Sequence, residues 1–149
     1  MMTDRKKEKK GPKYWIRTSV FFLLTAVLLS YIIIEAFAPN QTVRIFGFKP
    51  YVVLTQSMEP KINVDDVVVV KRPDTDSIEE GDIITFRADI NNDGEKNIVT
   101  HYIHTINEDD SGTMEIRTRR YYEDPEDISP DPWVVGEEDV LGEYMFTIP

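Results

Sequence analysis

A stretch of seventeen residues without a charged side chain constrains this chain more than any other feature of its sequence. It runs from Thr18 to Ile34 and lies between Arg17 and Glu35. A helix rises about 1.5 Å per residue, so this stretch alone would be roughly 25 Å long. Aromatic residues at its ends extend the usable helix to about residues 14–38, which is enough to span a bilayer. We therefore predict one transmembrane anchor over residues 14–38.

A cleavable leader is the competing interpretation of the same stretch. Ala36-Phe37-Ala38 has the small-x-small pattern at which such leaders are cut. However, the apolar run is longer than a typical leader core, and Pro39 follows the cleavage point. Proline has no N–H and a restricted φ, which makes it a poor residue at a cut bond. We favour an anchor that is not cleaved.

Charge is distributed unevenly along the chain. The first 17 residues carry seven Lys or Arg side chains and two acids, whereas the other 132 carry ten basic and 25 acidic side chains. Because basic residues before a span stay in the cytoplasm, we predict a basic cytoplasmic head (1–13), the anchor (14–38) and an extracytoplasmic domain (39–149). The chain would be a single-pass protein of the cell membrane, in contact with lipid. An acidic body disfavours nucleic acid as a partner.

Composition excludes several kinds of site. The chain has no cysteine, so disulfides, thiolate catalysis, iron–sulfur clusters and cysteine-ligated zinc are ruled out. With only two histidines, a three-histidine metal centre is ruled out as well. We expect neither a metal nor a cofactor.

The part of the chain after residue 40 consists of short runs rich in β-branched and aromatic residues, separated by turn clusters. We predict a mainly β fold, an antiparallel coiled β-sheet domain behind one transmembrane helix. The predicted strands are Val43–Phe48, Tyr51–Leu54, Val67–Lys71, Ile83–Arg87, Ile98–Ile103, Met114–Thr118 and Val140–Phe146. The segment 121–132, with three prolines and five acids, is predicted to be a surface loop.

One turn offers a nucleophile. Ser57 follows a predicted strand and precedes Pro60 by three residues, a position that can expose a hydroxyl and hold it rigidly. A polar turn between strands explains the same spacing. A serine hydroxyl needs a base within hydrogen-bond reach, and His101 and His104 are the two imidazoles that could serve. They lie three residues apart on a predicted strand and should point to opposite faces, so only one can serve Ser57. The residues alone leave open which one.

Four motifs in sequence order decide what spacing leaves open. They are Gln56-Ser57-Met58-Glu59-Pro60, Asp65-Asp66-Val67-Val68-Val69-Val70, Gly81-Asp82-Ile83-Ile84-Thr85-Phe86 and Val99-Thr100-His101-Tyr102-Ile103. Together they resemble the type I signal peptidases, specifically the archaeal and endoplasmic-reticulum branch, in which a histidine stands where bacterial enzymes have a catalytic lysine. The resemblance covers about residues 14–148.

The resemblance implies roles for individual residues. Ser57 matches the nucleophile, with its backbone N–H as a donor to the oxyanion, and His101 matches the general base. An aspartate that orients the base is best matched by Asp131, in Asp131-Pro132-Trp133, with Asp127 as competitor and Asp124 as a weaker one. His104 matches no catalytic position. The chain departs from the family's Thr-Lys-Gly-Asp motif, because it reads Thr118-Arg119-Arg120-Tyr121.

The function implied by the resemblance is a membrane-anchored serine endopeptidase that removes signal peptides from exported precursors. Small residues before the cut would be read by apolar pockets, for which Phe48, Tyr51, Val53 and Met58 are candidates. Its partners would be precursors with signal peptides, membrane lipid and, where required, translocation machinery or accessory subunits. The altered Thr118–Tyr121 motif suggests an alternative, a weak or inactive relative that acts as a membrane-tethered binding domain. A peptidase dedicated to a few precursors is not distinguishable by sequence.

Overall fold

A computed structural model describes residues 11–39, 41–74, 77–108 and 112–149, and divides the chain into two compact units, Met1–Pro39 and Asn40–Pro149. The first unit contains one helix, α1 (Pro12–Phe37), in which no residue is buried. Pro12 stands at the start of the helix, where its missing N–H costs no intrahelical hydrogen bond. Within the described residues, this is the one helix long and apolar enough to cross a membrane. Most of the predicted basic head, residues 1–10, lies outside the described residues.

The second unit is built on one antiparallel sheet. Seven strands are seen in the described part of the chain, in the spatial order β1-β2-β7-β3-β4-β5-β6. Their bounds are Phe48–Val52 (β1), Val67–Lys71 (β2), Ile83–Ala88 (β3), Asn97–Glu108 (β4), Met114–Arg119 (β5), Val135–Gly136 (β6) and Val140–Ile148 (β7). Two short 3₁₀ helices, Pro125–Asp127 and Glu137–Asp139, lie in the connections. The prediction of a mainly β, antiparallel fold behind an apolar helix is confirmed.

The predicted strand Val43–Phe48 is wrong over most of its length. Residues Thr42–Phe46 form a short helix, α2, and β1 begins only at Phe48. The Ile45 N–H donates to the Gln41 carbonyl at 3.0 Å, which is the i to i−4 hydrogen bond of an α-helix. Gly47 ends the helix with φ 82°, and its N–H donates to the Val43 carbonyl. Glycine adopts this left-handed conformation without steric cost, so the chain can leave the helix there.

Strand β7 pairs with two neighbouring strands, one along each part of its length. Residues Glu143–Ile148 pair with β2, and Val140–Glu143 pair with β3, with a register shift in each ladder. Two hydrophobic clusters result. One contains Phe86 with Ile84, Ile103 and Ile116, among others, and the other contains Met58, Ile62, Val68, Val70 and Ile83. Register shifts like those in the two ladders of β7 bend a sheet and increase its twist.

Gly142 marks the tightest approach between β7 and β2. A Cβ added at Gly142 would overlap Val70 Cγ2 and lie 2.8 Å from the Lys71 carbonyl oxygen. Val70 is fully buried and the carbonyl belongs to a strand, so neither can move easily. We expect Gly142→Ala to lower the free energy of unfolding by about 1–3 kcal/mol, as overpacking does. The measurement is urea unfolding of the full chain, followed by the fluorescence of its two tryptophans.

Gly136→Ala is the matched control for this prediction. Its Cβ would also meet close atoms, but these belong to the carboxyl end of the flexible Glu138 side chain. Its φ of −80° suits any residue. We expect the urea concentration at the unfolding midpoint of this variant to stay near that of the wild type. Equal midpoints for the two variants would contradict the assigned close contact between β7 and β2.

Candidate active site

Ser57 lies in a loop that begins after β1 and is closed at its base. The Val53 N–H donates to the Asp66 carbonyl, and the Asp65 N–H donates to the Val53 carbonyl, both at 2.9 Å. Two loop residues, Met58 and Ile62, are almost completely buried in the second hydrophobic cluster. Because the residue next to Ser57 is held in the core, the serine has a defined position although it belongs to a loop. Its side chain is partly buried.

His101 lies in β4 with its Nε2 3.0 Å from Ser57 Oγ. The ring is 4% exposed and is held between two aromatic side chains. Phe86 meets it edge to face, and the indole of Trp133 stacks on it at an angle of 26°. Ser57 and His101 are 44 positions apart in sequence, and they meet because β4 passes beside the Ser57 loop. His104 lies where the β4–β5 register shifts and takes no part in this contact within the described residues.

Asp131 completes a hydrogen-bonded chain behind the histidine. Its Oδ2 is 2.7 Å from His101 Nδ1, and it accepts a second hydrogen bond of 2.7 Å from the Thr118 hydroxyl. The Asp131 N–H also donates to the Thr118 carbonyl at 2.7 Å. A carboxylate can only accept, so the His101 Nδ1 must carry a hydrogen. In the neutral ring Nε2 is then the acceptor for the Ser57 hydroxyl.

The surroundings of Asp131 keep its carboxylate ionised. Burial by itself raises the pKa of this carboxyl, but the hydrogen bond and charge of His101 lower it, as do the Thr118 hydroxyl and the nearby Arg120. The net effect is an Asp131 pKa below its ordinary value. A fixed negative charge therefore faces the imidazole at neutral pH.

The competing aspartates lie elsewhere. Asp127 is exposed at the end of a 3₁₀ helix, and Asp124 caps the start of that helix by accepting from the Glu126 N–H at 2.9 Å. The predicted surface loop 121–132 is therefore exposed over much of its length, but Asp131 near its end is only 5% exposed. Of the three candidates, it is Asp131 that contacts His101.

Three further residues contact the site without having been identified in the sequence. Thr118 donates to Asp131, and its hydroxyl in turn accepts from the indole N–H of Trp133 at 3.1 Å. The Thr55 hydroxyl lies 3.4 Å from Ser57 Oγ. Thr118 begins the segment Thr118–Tyr121, and Trp133 ends Asp131-Pro132-Trp133. Both segments were noted in the sequence, but nothing in it indicated that the two side chains would contact each other. The altered motif introduces no backbone strain, because Arg120 is outside the left-handed region.

A mostly apolar cleft of about 420 Å³ opens at Ser57 and His101. Tyr51, Val53 and Met58 line it, as predicted. Phe48 does not, so that prediction is wrong. Phe48 is at the start of β1, three residues before the first lining residue, and its side chain is exposed. The remaining lining residues are Val52, Leu54, Thr55, Ile62, Ile90, Ile98, Val99, Thr100, Arg120 and Trp133.

The described residues include no group of three His, Asp or Glu side chains that could hold a metal ion. What the arrangement can do chemically is proton transfer. A serine hydroxyl, an imidazole and a buried carboxylate are joined in series at an open cleft, which is the arrangement used for nucleophilic attack on a carbonyl.

Comparison with known proteins supplies the family. The family described as signal peptidase, peptidase S26, matches residues 14–106, which include most of α1, Ser57 and His101. Asp131 and its partners Thr118 and Trp133 lie beyond the matched segment. No individual curated protein is significantly similar to the chain. The match spans well over half of the 149 residues, and the chain therefore belongs to the signal peptidase family, peptidase S26.

Proposed function

We propose that this chain is a membrane-anchored serine endopeptidase that removes signal peptides from exported precursors, with Ser57 as nucleophile and His101 as general base. Its family makes it a peptidase of signal-peptide-bearing proteins in general. The serine–histidine mechanism, which is that of the archaeal and endoplasmic-reticulum branch, is our assignment. The observation that carries it is the 3.0 Å distance between Ser57 Oγ and His101 Nε2.

The proposed reaction follows from these contacts. The Ser57 hydroxyl gives its proton to His101 Nε2 while its oxygen attacks the scissile carbonyl carbon. The Asp131 carboxylate stabilises the imidazolium that forms, and holds the ring by its bond to Nδ1. His101 then returns the proton to the departing amine. Water hydrolyses the acyl-serine in a second step that uses the same base.

Two donors are assigned to the negative charge on the carbonyl oxygen. The Ser57 N–H makes no hydrogen bond with another described residue, which leaves it available. The Thr55 hydroxyl, 3.4 Å from Ser57 Oγ, is the second. Donors fixed in advance of the reaction contribute most where charge develops in the transition state.

The same proposal includes the membrane topology. The charge asymmetry supports a cytoplasmic head over 1–13, a transmembrane anchor over 14–38 and an extracytoplasmic peptidase domain over 39–149. The apolar α1 (Pro12–Phe37) fits a single-pass protein. A cleavage point that emerges from the outer face of the bilayer would then meet the Ser57 cleft there.

Purified full chain in detergent or vesicles provides the direct test. It is incubated with a precursor that carries a signal peptide, and the products are identified by mass. Cleavage at one bond after small residues supports the proposal. Binding of the precursor without cleavage would favour the alternative, a tethered binding domain, and no specific observation on the site favours that alternative.

Cleavage is expected to slow as the pH falls from 8 to 5, because a protonated imidazole cannot accept the Ser57 proton. Asp131 should not contribute to this loss. Its pKa is below the ordinary value, so the carboxylate stays charged over the range, and its contribution to stability is lost only as pH falls below about 4. The measurement is kcat/KM against pH, with tryptophan fluorescence as a check on folding. A flat profile would count against His101 as the base.

A further inference from the structure

Arg120 lines the cleft that contains Ser57 and His101. Its backbone position is well defined, because hydrogen bonds hold both sides of it. The Tyr121 N–H donates to the Ser57 carbonyl at 3.0 Å, and the Thr118 carbonyl accepts from the Asp131 N–H at 2.7 Å.

Arg120 carries the one permanent charge among the described residues that line the cleft. The other lining residues are neutral, apart from His101, and none is an Asp or Glu. Among the described residues, no carboxylate forms an ion pair with the Arg120 side chain, which is exposed. Its charge nevertheless reaches the site, since it is one of the causes that lower the Asp131 pKa. A guanidinium that has no ion-pair partner in a mostly apolar lining is a group to which an anion can bind.

We infer that Arg120 selects precursors with an acidic side chain close to the cleaved bond. The inference rests on the proposed function and concerns the substrate class of the same site. Arg120 and Ser57 line the same cleft, and the Tyr121 N–H next to Arg120 bonds to the Ser57 carbonyl, so a peptide bound at Ser57 lies within reach of Arg120. A guanidinium binds a carboxylate through two parallel hydrogen bonds. Because the Arg120 side chain is exposed, water weakens the pair, and its contribution is that of a surface ion pair.

The test uses precursors that differ at a single position. Asp, Asn and Lys are placed in turn at each of the three positions before and the two positions after the cut. At one of these positions, the wild type is expected to cleave the Asp precursor about threefold faster than the Asn precursor in kcat/KM, which is the size of effect that an exposed ion pair has. The Lys precursor should be slowest. Arg120→Gln should remove the preference, and Arg120→Glu should reverse it in favour of Lys.

Arg119→Gln is the matched control. The Arg119 guanidinium lies 4.6 Å from the centre of the Tyr102 ring, and Arg119 does not line the cleft. This variant has the same change of charge one residue away, so it should retain the preference for Asp. A preference that disappears equally in Arg119→Gln and Arg120→Gln would mean a general field effect and would overturn the inference.

The remaining outcomes separate the inference from the proposed function. If the wild type cleaves neutral and acidic precursors equally at every position, the inference fails and the proposed function stands. If it cleaves no precursor, the proposed function fails. A uniform loss of kcat for all precursors in Arg120→Gln would assign Arg120 to the Asp131–His101 pair instead. An effect of Arg120→Gln seen only in vesicles with anionic lipid would assign it to headgroups, and both results would overturn the inference.

Discussion

Replacing Ser57 with alanine is expected to lower kcat for precursor cleavage by about 10³-fold or more. The Ser57 hydroxyl is the group that His101 Nε2 contacts, and no other hydroxyl stands in that position among the described residues. His101→Ala should cost about as much, because a serine without its base is a poor nucleophile. The double variant should be no worse than either single one, since two residues that act as a unit lose the same step. The measurement is single-turnover cleavage of one precursor by the four proteins.

Two controls accompany this experiment. Ser77→Ala removes a hydroxyl that donates to the Asp74 carbonyl outside the cleft, and it should leave the rate unchanged. Ser57→Ala should still bind the precursor, because the walls of the cleft remain. If Ser57→Ala kept more than about a tenth of the wild-type rate, the serine mechanism would be abandoned. Additive losses in the double variant would show that Ser57 and His101 do not act on the same proton.

Asp131→Asn is expected to reduce kcat by about 10²–10⁴-fold with little effect on KM. The amide has the shape of the carboxylate but lacks its charge. It can also turn its NH₂ toward His101, which would make Nδ1 an acceptor and place the hydrogen on Nε2, where it blocks the Ser57 proton. Because His101 and Thr118 contact the same oxygen, Oδ2, an NH₂ in its place would donate to the Thr118 hydroxyl oxygen, so this contact and the fold should persist. The measurements are kcat, KM and the thermal unfolding midpoint.

Asp127→Asn is the matched control for that prediction. Asp127 lies in the same connection and has the same side chain, but it is exposed and does not contact His101. Its variant should have the wild-type kcat. Loss of activity in Asp127→Asn with retention in Asp131→Asn would reverse the assignment of the third residue. Equal loss in both would point to a disturbance of the whole connection.

Much of the fold could be predicted because its signals are local. The apolar run that forms α1 and the β-branched run Val67–Lys71 each have one strong periodicity or composition, and the structure assigns Val67–Lys71 to β2 without change. The segment Val43–Phe46 was wrongly predicted as a strand because the prediction used local composition, and its β-branched residues fit a strand. The structure forms a helix there instead, with hydrogen bonds from Ile45 to Gln41 and from Gly47 to Val43, and the left-handed Gly47 ends it. The two-residue β6 (Val135–Gly136) has too little pattern to be predicted, and it exists through its pairing with β5.

The residues of the site also fall into those that local sequence predicts and those that it does not. The turn at Ser57 follows from local residues, whereas the choice of His101 over His104 was open until a family resemblance suggested it. Asp131 carried the least support, since a loop of three prolines and five acids offers several equivalent carboxylates. What distinguishes Asp131 is its burial against Thr118 and Trp133, which lie 13 residues before it and two residues after it. Contacts of this kind depend on how strands pair, and periodicity does not encode them.

The sequence by itself determined the apolar amino-terminal helix, the β character of the rest and the inventory of groups that can react. These properties depend on neighbouring residues, because hydropathy, charge and backbone propensity act over a few positions. Only the tertiary structure decided which hydroxyl and which carboxylate come within 3.0 Å of which imidazole, and that Arg120 lines the same cleft. The physical reason is that proton transfer and ion pairing act between atoms in space. Antiparallel pairing of β4 with β3 and β5 brings His101 to Asp131 and Ser57, 30 and 44 residues away in the chain.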